Sequence, residues 1–325
     1  MVGVDPDELT LSSNSMTMPS IVTLTFSPCI DKSATVPDLV PEKKLRCSAP
    51  KLEPGGGGIN VARALKRLGT DATAVYPSGG YSGKFLDHLM RNEGVDSVII
   101  ETVNETRENI IIVDESTNNQ YRFGMPANAL NENEWMKCLE AVDALTGIQF
   151  LVVSGSLPPG VPLSIFSELS SIAKNKSAKL IVDTSGDALK ETVKQKVFLL
   201  KPNLGELAAL AGKDKIDSAS IKETAHAVIR QYGCEVIVVS MGPDGAMLIT
   251  GNDFFTAKAP HVLRKSTVGA GDSMVAGIVY SLAGGNDLHH ALRYGVACGT
   301  AATMNAGTEL CHKEDADRLL AEISN

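Results

Sequence analysis

The residues Thr267-Val268-Gly269-Ala270-Gly271-Asp272-Ser273-Met274 place one carboxylate directly behind a Gly-x-Gly turn. A glycine turn that feeds a helix leaves backbone N–H groups unpaired and aimed outward, which makes an anion site. An aspartate at that point sits among donors able to hold a phosphoryl group. It is therefore placed to take the proton of a hydroxyl attacking that group. The chemistry to expect is phosphoryl transfer to an alcohol, with Asp272 as base and Gly269, Ala270 and Gly271 as the backbone anion hole.

Four other segments carry residue types suited to that chemistry. Gly55-Gly56-Gly57-Gly58-Ile59-Asn60 lets backbone approach a polar ligand closely, or serves as a flexible turn before a helix. It is not a P-loop, because no Lys-Ser/Thr follows, and it lacks the Gly-x-Gly-x-x-Gly spacing of a dinucleotide site. Ser154-Gly155-Ser156-Leu157-Pro158-Pro159-Gly160 follows a buried strand, where α/β sheets meet their ligands, or is simply a rigid Pro-Pro-Gly turn. In Lys201-Pro202-Asn203-Leu204-Gly205-Glu206, Asn203 and Glu206 share one face of a first helical turn. Their oxygens suit a hydrated Mg²⁺, although a capping box explains the same pair and is the simpler reading. Ser240-Met241-Gly242-Pro243-Asp244-Gly245 is a nucleotide-edge loop or a hairpin turn. Arg46 and Arg107, with Lys44 nearby, have the forks and charge for a substrate phosphate, but equally read as solvated surface cations.

The elements that must position these groups follow from the apolar pattern. Strands are expected at Ile21–Phe26, Ala72–Tyr76, Phe150–Ser154, Leu180–Asp183, Val197–Leu200 and Val236–Ser240. Helices are expected over 59–68, 162–175, 186–194, 204–211, 218–232, 271–284 and 287–304, with a short one at the end. Continuous apolar strands between amphipathic helices indicate an α/β fold with a mostly parallel sheet covered on both faces. Residues 33–53 are extended and proline-punctuated. Residues 107–125 read as a hairpin, Asn109–Val113 and Gln120–Phe123. Together they predict a small β-sheet lid over 33–53 and 105–125, projecting from an α/β domain of residues 18–32, 54–104 and 126–325. An apolar face on such a sheet would favour pairing with a second copy.

Composition sets outer bounds. The 325 residues carry a net charge of −8 without a long basic run, which gives no nucleic-acid footprint. The six cysteines, at 29, 47, 138, 234, 298 and 311, show neither zinc spacing nor a disulfide framework, and suit reduced thiols in a cytoplasmic protein. No apolar run reaches membrane-spanning length. Residues 1–17, acidic and serine-rich, read as a tail foreign to the fold. The histidines lack metal spacing, His289-His290 reads as an exposed helix start, and Trp135 reads as packing a helix.

From about residue 20 to 323 the chain resembles the PfkB (ribokinase-like) family of carbohydrate kinases. The carrying text is Lys44-Leu45-Arg46-Cys47, Glu53 to Arg63, Gln120-Tyr121-Arg122-Phe123, Ser154 to Gly160 and Ser266 to Met274. Relatives acting on fructose 1-phosphate or tagatose 6-phosphate often carry Lys where Gly57 stands, so glycine favours the 6-phosphofructokinase branch. The resemblance implies a three-layer sandwich and ATP-dependent phosphorylation of fructose 6-phosphate at O1. The same chemistry on tagatose 6-phosphate or fructose 1-phosphate is the alternative, and a catalytically silent sensor of sugar phosphate or nucleotide the more distant one.

It also implies roles. Asp31, Gly56, Asn60 and Ser156 would hold the sugar, and Arg107 its 6-phosphate. Arg46 and Lys44 would reach a site across a lid-to-lid dimer. Lys201 and Asn203 would lie at the ATP phosphates, with Asn203 and Glu206 on the Mg²⁺ side. Ser240, Gly242, Gly245, Arg264, Val296 and Thr300 would border the nucleotide. Carbonyls of Ser266, Val268, Ala302, Asn305, Gly307 and Glu309 would match a K⁺ site. Many members carry Asp where Ser266 stands. The N-terminal tail has no counterpart in the family pattern.

Overall fold

The computed structural model describes residues 20–323. The expected tail at 1–17 lies outside them. The chain starts in β1 (Ser20–Leu24), whose side chains alternate between two apolar layers: Ile21 enters one, Val22 and Leu24 the other. It then leaves for a second sheet through β2 (Cys29–Val36) and β3 (Lys51–Gly55), and returns in α1 (Gly57–Leu68). Gly69 closes α1 in the left-handed conformation, its N–H reaching the carbonyls of Leu65 and Lys66. β4 (Thr73–Gly79), α2 (Gly80–Asn92) and β5 (Asp96–Thr102) extend the main sheet to one edge. The second sheet is completed by β6 (Arg107–Asp114) and β7 (Asn119–Phe123).

After α3 (Glu132–Ala144), β8 (Ile148–Ser154) begins the regular alternation: α4 (Ile165–Asn175), β9 (Lys179–Asp183), α5 (Gly186–Thr192), β10 (Leu199–Leu200), α6 (Leu204–Leu210), α7 (Ile221–Tyr232) and β11 (Val236–Ser240). β12 (Ala246–Ile249) and β13 (Phe254–Ala257) add an antiparallel edge. α8 (Ala270–Ala283), α9 (Leu288–Thr303) and α10 (Lys313–Glu322) finish the described chain.

The main sheet has the order β13-β12-β11-β10-β9-β8-β1-β4-β5, parallel from β5 through β11. One apolar layer packs α1, α2, α8, α9 and α10 against it, and the other packs α3 to α7. This is the three-layer arrangement expected. From β1 the chain moves outward to β4 and β5, then restarts on the other side of β1 at β8. The strand order therefore reverses between β1 and β8, and a crevice opens beyond their carboxyl ends.

Several boundaries move. The second sheet, in the order β3-β2-β6-β7, begins at Cys29 and ends at Gly55, so residues 29–32 and 54–55 belong to it rather than to the α/β part. The pairing of Cys29 with both Gly55 and Arg107 causes this: β2 is the central strand and needs a partner on each side. Residues 37–50 form no strand. The hairpin turn falls at 115–118, because Asn119 already pairs with Asp114 and Asn118 takes a left-handed φ of 55°. The α2 helix and β5 have no sequence-based counterpart, since α2 buries only Gly83, Leu86 and Met90. His289 and His290 are half-buried rather than exposed. His289 stacks on Phe255 with ring centroids 5.0 Å apart, and His290 Nδ1 lies 2.7 Å from Ser281 Oγ. Trp135 lies in α3 against the second apolar layer. All six cysteines are free thiols. Among the described residues, no helix is long and apolar enough to cross a membrane.

Candidate active site

The crevice between β1 and β8 is closed by α1. Ile59 N–H donates to Thr25 Oγ1 at 2.9 Å, which anchors the first turn of α1 to the end of β1. On the other side Gly57 presses against β8. A Cβ there would lie 2.2 Å from Ser154 Oγ and 2.7 Å from Gly155 N, so a side chain at 57 requires α1 or the loop after β8 to shift. The glycine run is thus a packing requirement that brings the α1 N-terminus into the crevice.

The α8 N-terminus enters from above. Gly269 holds the N-cap at φ 73°, and Ala270, Gly271 and Asp272 form the first turn. Asp272 Oδ2 accepts a 2.9 Å hydrogen bond from Asn60 Nδ2. Burial pushes the Asp272 carboxyl up to about 6, the neighbouring Asp183 charge adds to this, and Asn60 and Lys201 oppose it. Lys201 follows β10 and is buried, with Nζ 3.2 Å from Asp183 Oδ1 and beside Gly271. Burial works against its charge, but Asp183, Asp272 and Glu206 more than offset this and raise its pKa.

Asp31, buried on β2, accepts from Asn109 Nδ2 at 3.0 Å and from the Cys29 thiol at 3.4 Å. Burial and the Asp31 charge hold Cys29 well above its usual thiol range. Arg107 starts β6. Its Nη1 donates to the Met125 carbonyl at 3.0 Å and its Nη2 to that of Ser27 at 3.2 Å. Its Nε is buried and makes no hydrogen bond. Gly56 is the N-cap of α1. Ser156 is exposed in the loop after β8, and Lys44 and Arg46 are exposed between β2 and β3. Among the described residues, no hydrogen bond or ion pair joins those three to the Asp272 cluster.

A cavity of about 510 Å³ adjoins the α8 N-terminus. Ser240, Gly242, Gly245, Arg264, Val296 and Thr300 all line it, as do Ala270 and Gly271. The Ser240–Gly245 segment is also the hairpin connection between β11 and β12. Asn203 touches the same edge through a bridge to Ser240.

Asn203 and Glu206 form a reciprocal capping box: Asn203 Oδ1 accepts from Glu206 N at 2.9 Å, and Glu206 Oε2 accepts from Asn203 N at 2.8 Å. Among the described residues, no three His, Cys, Asp or Glu groups converge as a metal cage. The box engages one Glu206 oxygen only. A Mg²⁺ held chiefly by phosphates and water needs no more protein than one such carboxylate. Ser266 Oγ donates to the Gly307 carbonyl at 2.7 Å, which draws segment 266–268 against 302–309.

Four contributors escaped the sequence reading. Asp183 pairs with Lys201, and Asn109 positions Asp31. Arg122 on β7 donates to Thr267 Oγ1 at 2.7 Å, tying the second sheet to the loop before α8. Arg63 is fully enclosed and bonds Asn60. The Gln120-Tyr121-Arg122-Phe123 match was the available signal for Arg122. The spacing of Asn60 and Arg63, three apart on a helix, was the signal for Arg63.

Comparison with known proteins matches residues 24–315 to the pfkB family carbohydrate kinase family. The ATP-dependent 6-phosphofructokinase isozyme 2 of Escherichia coli (strain K12) is 41% identical over 308 residues, covering 94% of this chain and 100% of that protein. Its namesake from Mycobacterium tuberculosis (strain CDC 1551 / Oshkosh) is 38% identical over 301 residues, covering 92% and 88%. The crystal structure of Escherichia coli phosphofructokinase-2 with substrates and products superimposes with a TM-score of 0.89 at 40% identity, covering 94% of this chain and 100% of that one. The same enzyme solved with potassium gives 0.89 at 41%, covering 94% and 99%.

Proposed function

The chain belongs to the pfkB family of carbohydrate kinases, and from that premise we propose that it is an ATP-dependent 6-phosphofructokinase, converting fructose 6-phosphate to fructose 1,6-bisphosphate. The carrying observation is the pair Asp272 and Asn60: a carboxylate with a raised pKa, in the first turn of α8, held at 2.9 Å beside a nucleotide-sized cavity.

Phosphoryl transfer asks for positioning and charge neutralisation more than covalent chemistry. Asp31 and Asn60 hold the sugar so that its O1 hydroxyl meets Asp272. Asp272 takes the O1 proton as O1 attacks the γ-phosphorus, and the bond to the β-phosphate oxygen breaks with ADP leaving. Backbone N–H groups of Gly269, Ala270 and Gly271 receive the transferring group. Lys201, kept charged by Asp183, neutralises the phosphates. The cavity lined by Ser240, Gly242, Gly245, Arg264, Val296 and Thr300 holds the nucleotide. Mg²⁺, when bound on the Glu206 side, supplies further charge neutralisation. Potassium fits the carbonyls of Ser266, Val268, Ala302, Asn305, Gly307 and Glu309.

Arg107, at the start of β6, binds the 6-phosphate through its guanidinium charge. The second sheet acts as the lid and pairs with that of another copy, through a face exposing Tyr121 and Phe123. That pairing delivers Lys44 and Arg46, which are exposed, to the partner's sugar phosphate.

Coupled measurement of ADP release with fructose 6-phosphate, tagatose 6-phosphate and fructose 1-phosphate tests the reading. The highest kcat/KM belongs to fructose 6-phosphate. Preference for another sugar would move the protein to a sister activity, and no ADP release with any of them would end the kinase reading.

A further inference from the structure

Arg63 is a guanidinium with no side-chain exposure, three residues beyond Asn60 on α1. It is clamped on several sides. Its Nη1 donates to the Pro54 carbonyl at 2.7 Å and to Asn60 Oδ1 at 3.3 Å. Its Nη2 reaches Glu53 Oε1 at 3.3 Å and Glu93 Oε1 at 2.7 Å. Glu53 is fixed in turn by the Thr308 hydroxyl at 2.9 Å and by Lys51 at 3.4 Å. The guanidinium therefore has one position available.

A guanidinium has donors only. The Asn60 atom that faces it must be the amide oxygen. The amide nitrogen is then forced to the opposite side, where Asp272 Oδ2 lies at 2.9 Å. Asn60 can meet Asp272 as a donor but not as an acceptor. A donor stabilises the ionised carboxylate, whereas a flipped amide would present its oxygen and favour the protonated acid. We propose that Arg63 is a positioning residue for phosphoryl transfer: by accepting only the oxygen of Asn60, it orients that amide to keep Asp272 in its ionised, base-competent form.

The other groups around Asp272 show why this orientation matters. Asp183 from the end of β9 and Asp31 from β2 both favour protonation, and burial adds to them. Cys29, also on β2, is neutral at its raised pKa. Lys201, after β10, and Asn60 act in the other direction. Lys201 is already paired with Asp183 at 3.2 Å. The Asn60 amide thus helps to hold a buried base charged among like charges.

The inference rests on Asp272 being the base, and the experiment separates the two. The pH dependence of kcat at saturating substrates is measured for the full chain, for Arg63→Met, for Asn60→Ala, for the double variant and for Glu93→Gln. Arg63→Met and Asn60→Ala each raise the acid limb by about one pH unit, roughly a tenfold loss of kcat below it. The double variant goes no further than Asn60→Ala, because Arg63 acts through Asn60. Glu93→Gln, which loosens the same ion cluster without freeing the amide, leaves the limb in place. An Arg63→Met limb that coincides with the parent's overturns the proposal. So does a double variant whose shift is the sum of the two, which would mean a through-space charge effect, or a Glu93→Gln shift equal to that of Arg63→Met. Where circular dichroism shows Arg63→Met unfolded, Arg63→Met/Glu93→Gln removes the charge together with its partner at 2.7 Å and is read against Glu93→Gln in the same way. A parent profile without an acid limb would instead remove Asp272 as the base, and with it the premise.

Discussion

Lys201 Nζ lies 3.2 Å from Asp183 Oδ1, and both charges face Asp272. The three residues come from three separate elements and meet as neighbours. Asp183 raises the Asp272 pKa, and Lys201 lowers it. The pair therefore tunes the base, besides placing a buried cation next to the α8 anion hole. A carboxyl group perturbed by burial and by specific neighbouring charges commonly marks the acid–base residue of a site.

Replacing the base is the most direct check. Asp272→Asn keeps the fold and substrate binding but lowers kcat by about 10²–10⁴, the usual contribution of a general base. Steady-state kinetics with ADP coupling measure it. A variant with near-parental kcat would remove Asp272 from the mechanism.

The pH dependence follows from the same carboxyl. It acts as a base only when ionised, so kcat falls about tenfold per pH unit below pH about 6 and levels off above it. Stability runs the opposite way. A carboxyl whose folded pKa is raised contributes stability below its ordinary range near pH 4, and loses it as pH rises through about 6. Asp272→Asn does not titrate there. Its stability relative to the parent therefore improves between pH 4 and 7, by roughly 1–3 kcal/mol. Urea melts at both pH values measure the difference, and a constant offset between the two proteins would contradict the assignment.

Arg107→Ala removes a charge-assisted donor from the proposed 6-phosphate site. KM for fructose 6-phosphate rises about 10–100-fold, while KM for ATP changes little. Equal effects on the two substrates would place Arg107 in general packing, consistent with its bonds to Ser27 and Met125 alone.

Gly57→Ala probes the crevice itself. The new methyl would meet Ser154 Oγ at 2.2 Å and the backbone of Gly155 at 2.7 Å, so α1 or the loop after β8 must move. The expected loss of stability is about 1–3 kcal/mol, with a weaker Asn60–Asp272 alignment and a lower kcat. Unchanged denaturation and kinetics would show that the approach of α1 to β8 tolerates a side chain.

Much of this protein was legible in the chain because its signals are local. Apolar runs of strand length, such as Val236–Ser240, announced the sheet, and amphipathic spacing announced α1 and the long helices. The glycine turns flagged α8 and α1, since a turn and the helix it feeds are neighbours in sequence. Missing from that reading were α2 and β5, whose apolar faces are too slight to stand out, and the outer turns of the second sheet. Its central strand β2 interrupts its apolar pattern with Asp31, which meets Asn109 on one face, and with Lys32, which pairs with Glu108 at 3.0 Å on the other.

What the sequence by itself determined was the fold class and the presence of an aspartate behind a helix-opening glycine turn, because both depend on residues within a few positions of each other. Only the tertiary structure decided what that aspartate meets. Asn60 is 212 positions from Asp272, and Asp183 and Lys201 come from other strand ends. Reversal of strand order between β1 and β8 gathers them into one crevice. Close packing then leaves the donor-only Arg63 a single position and the Asn60 amide a single orientation. A carboxyl group's charge state depends on which donors, charges and water reach it, and that surrounding is a property of the folded chain alone.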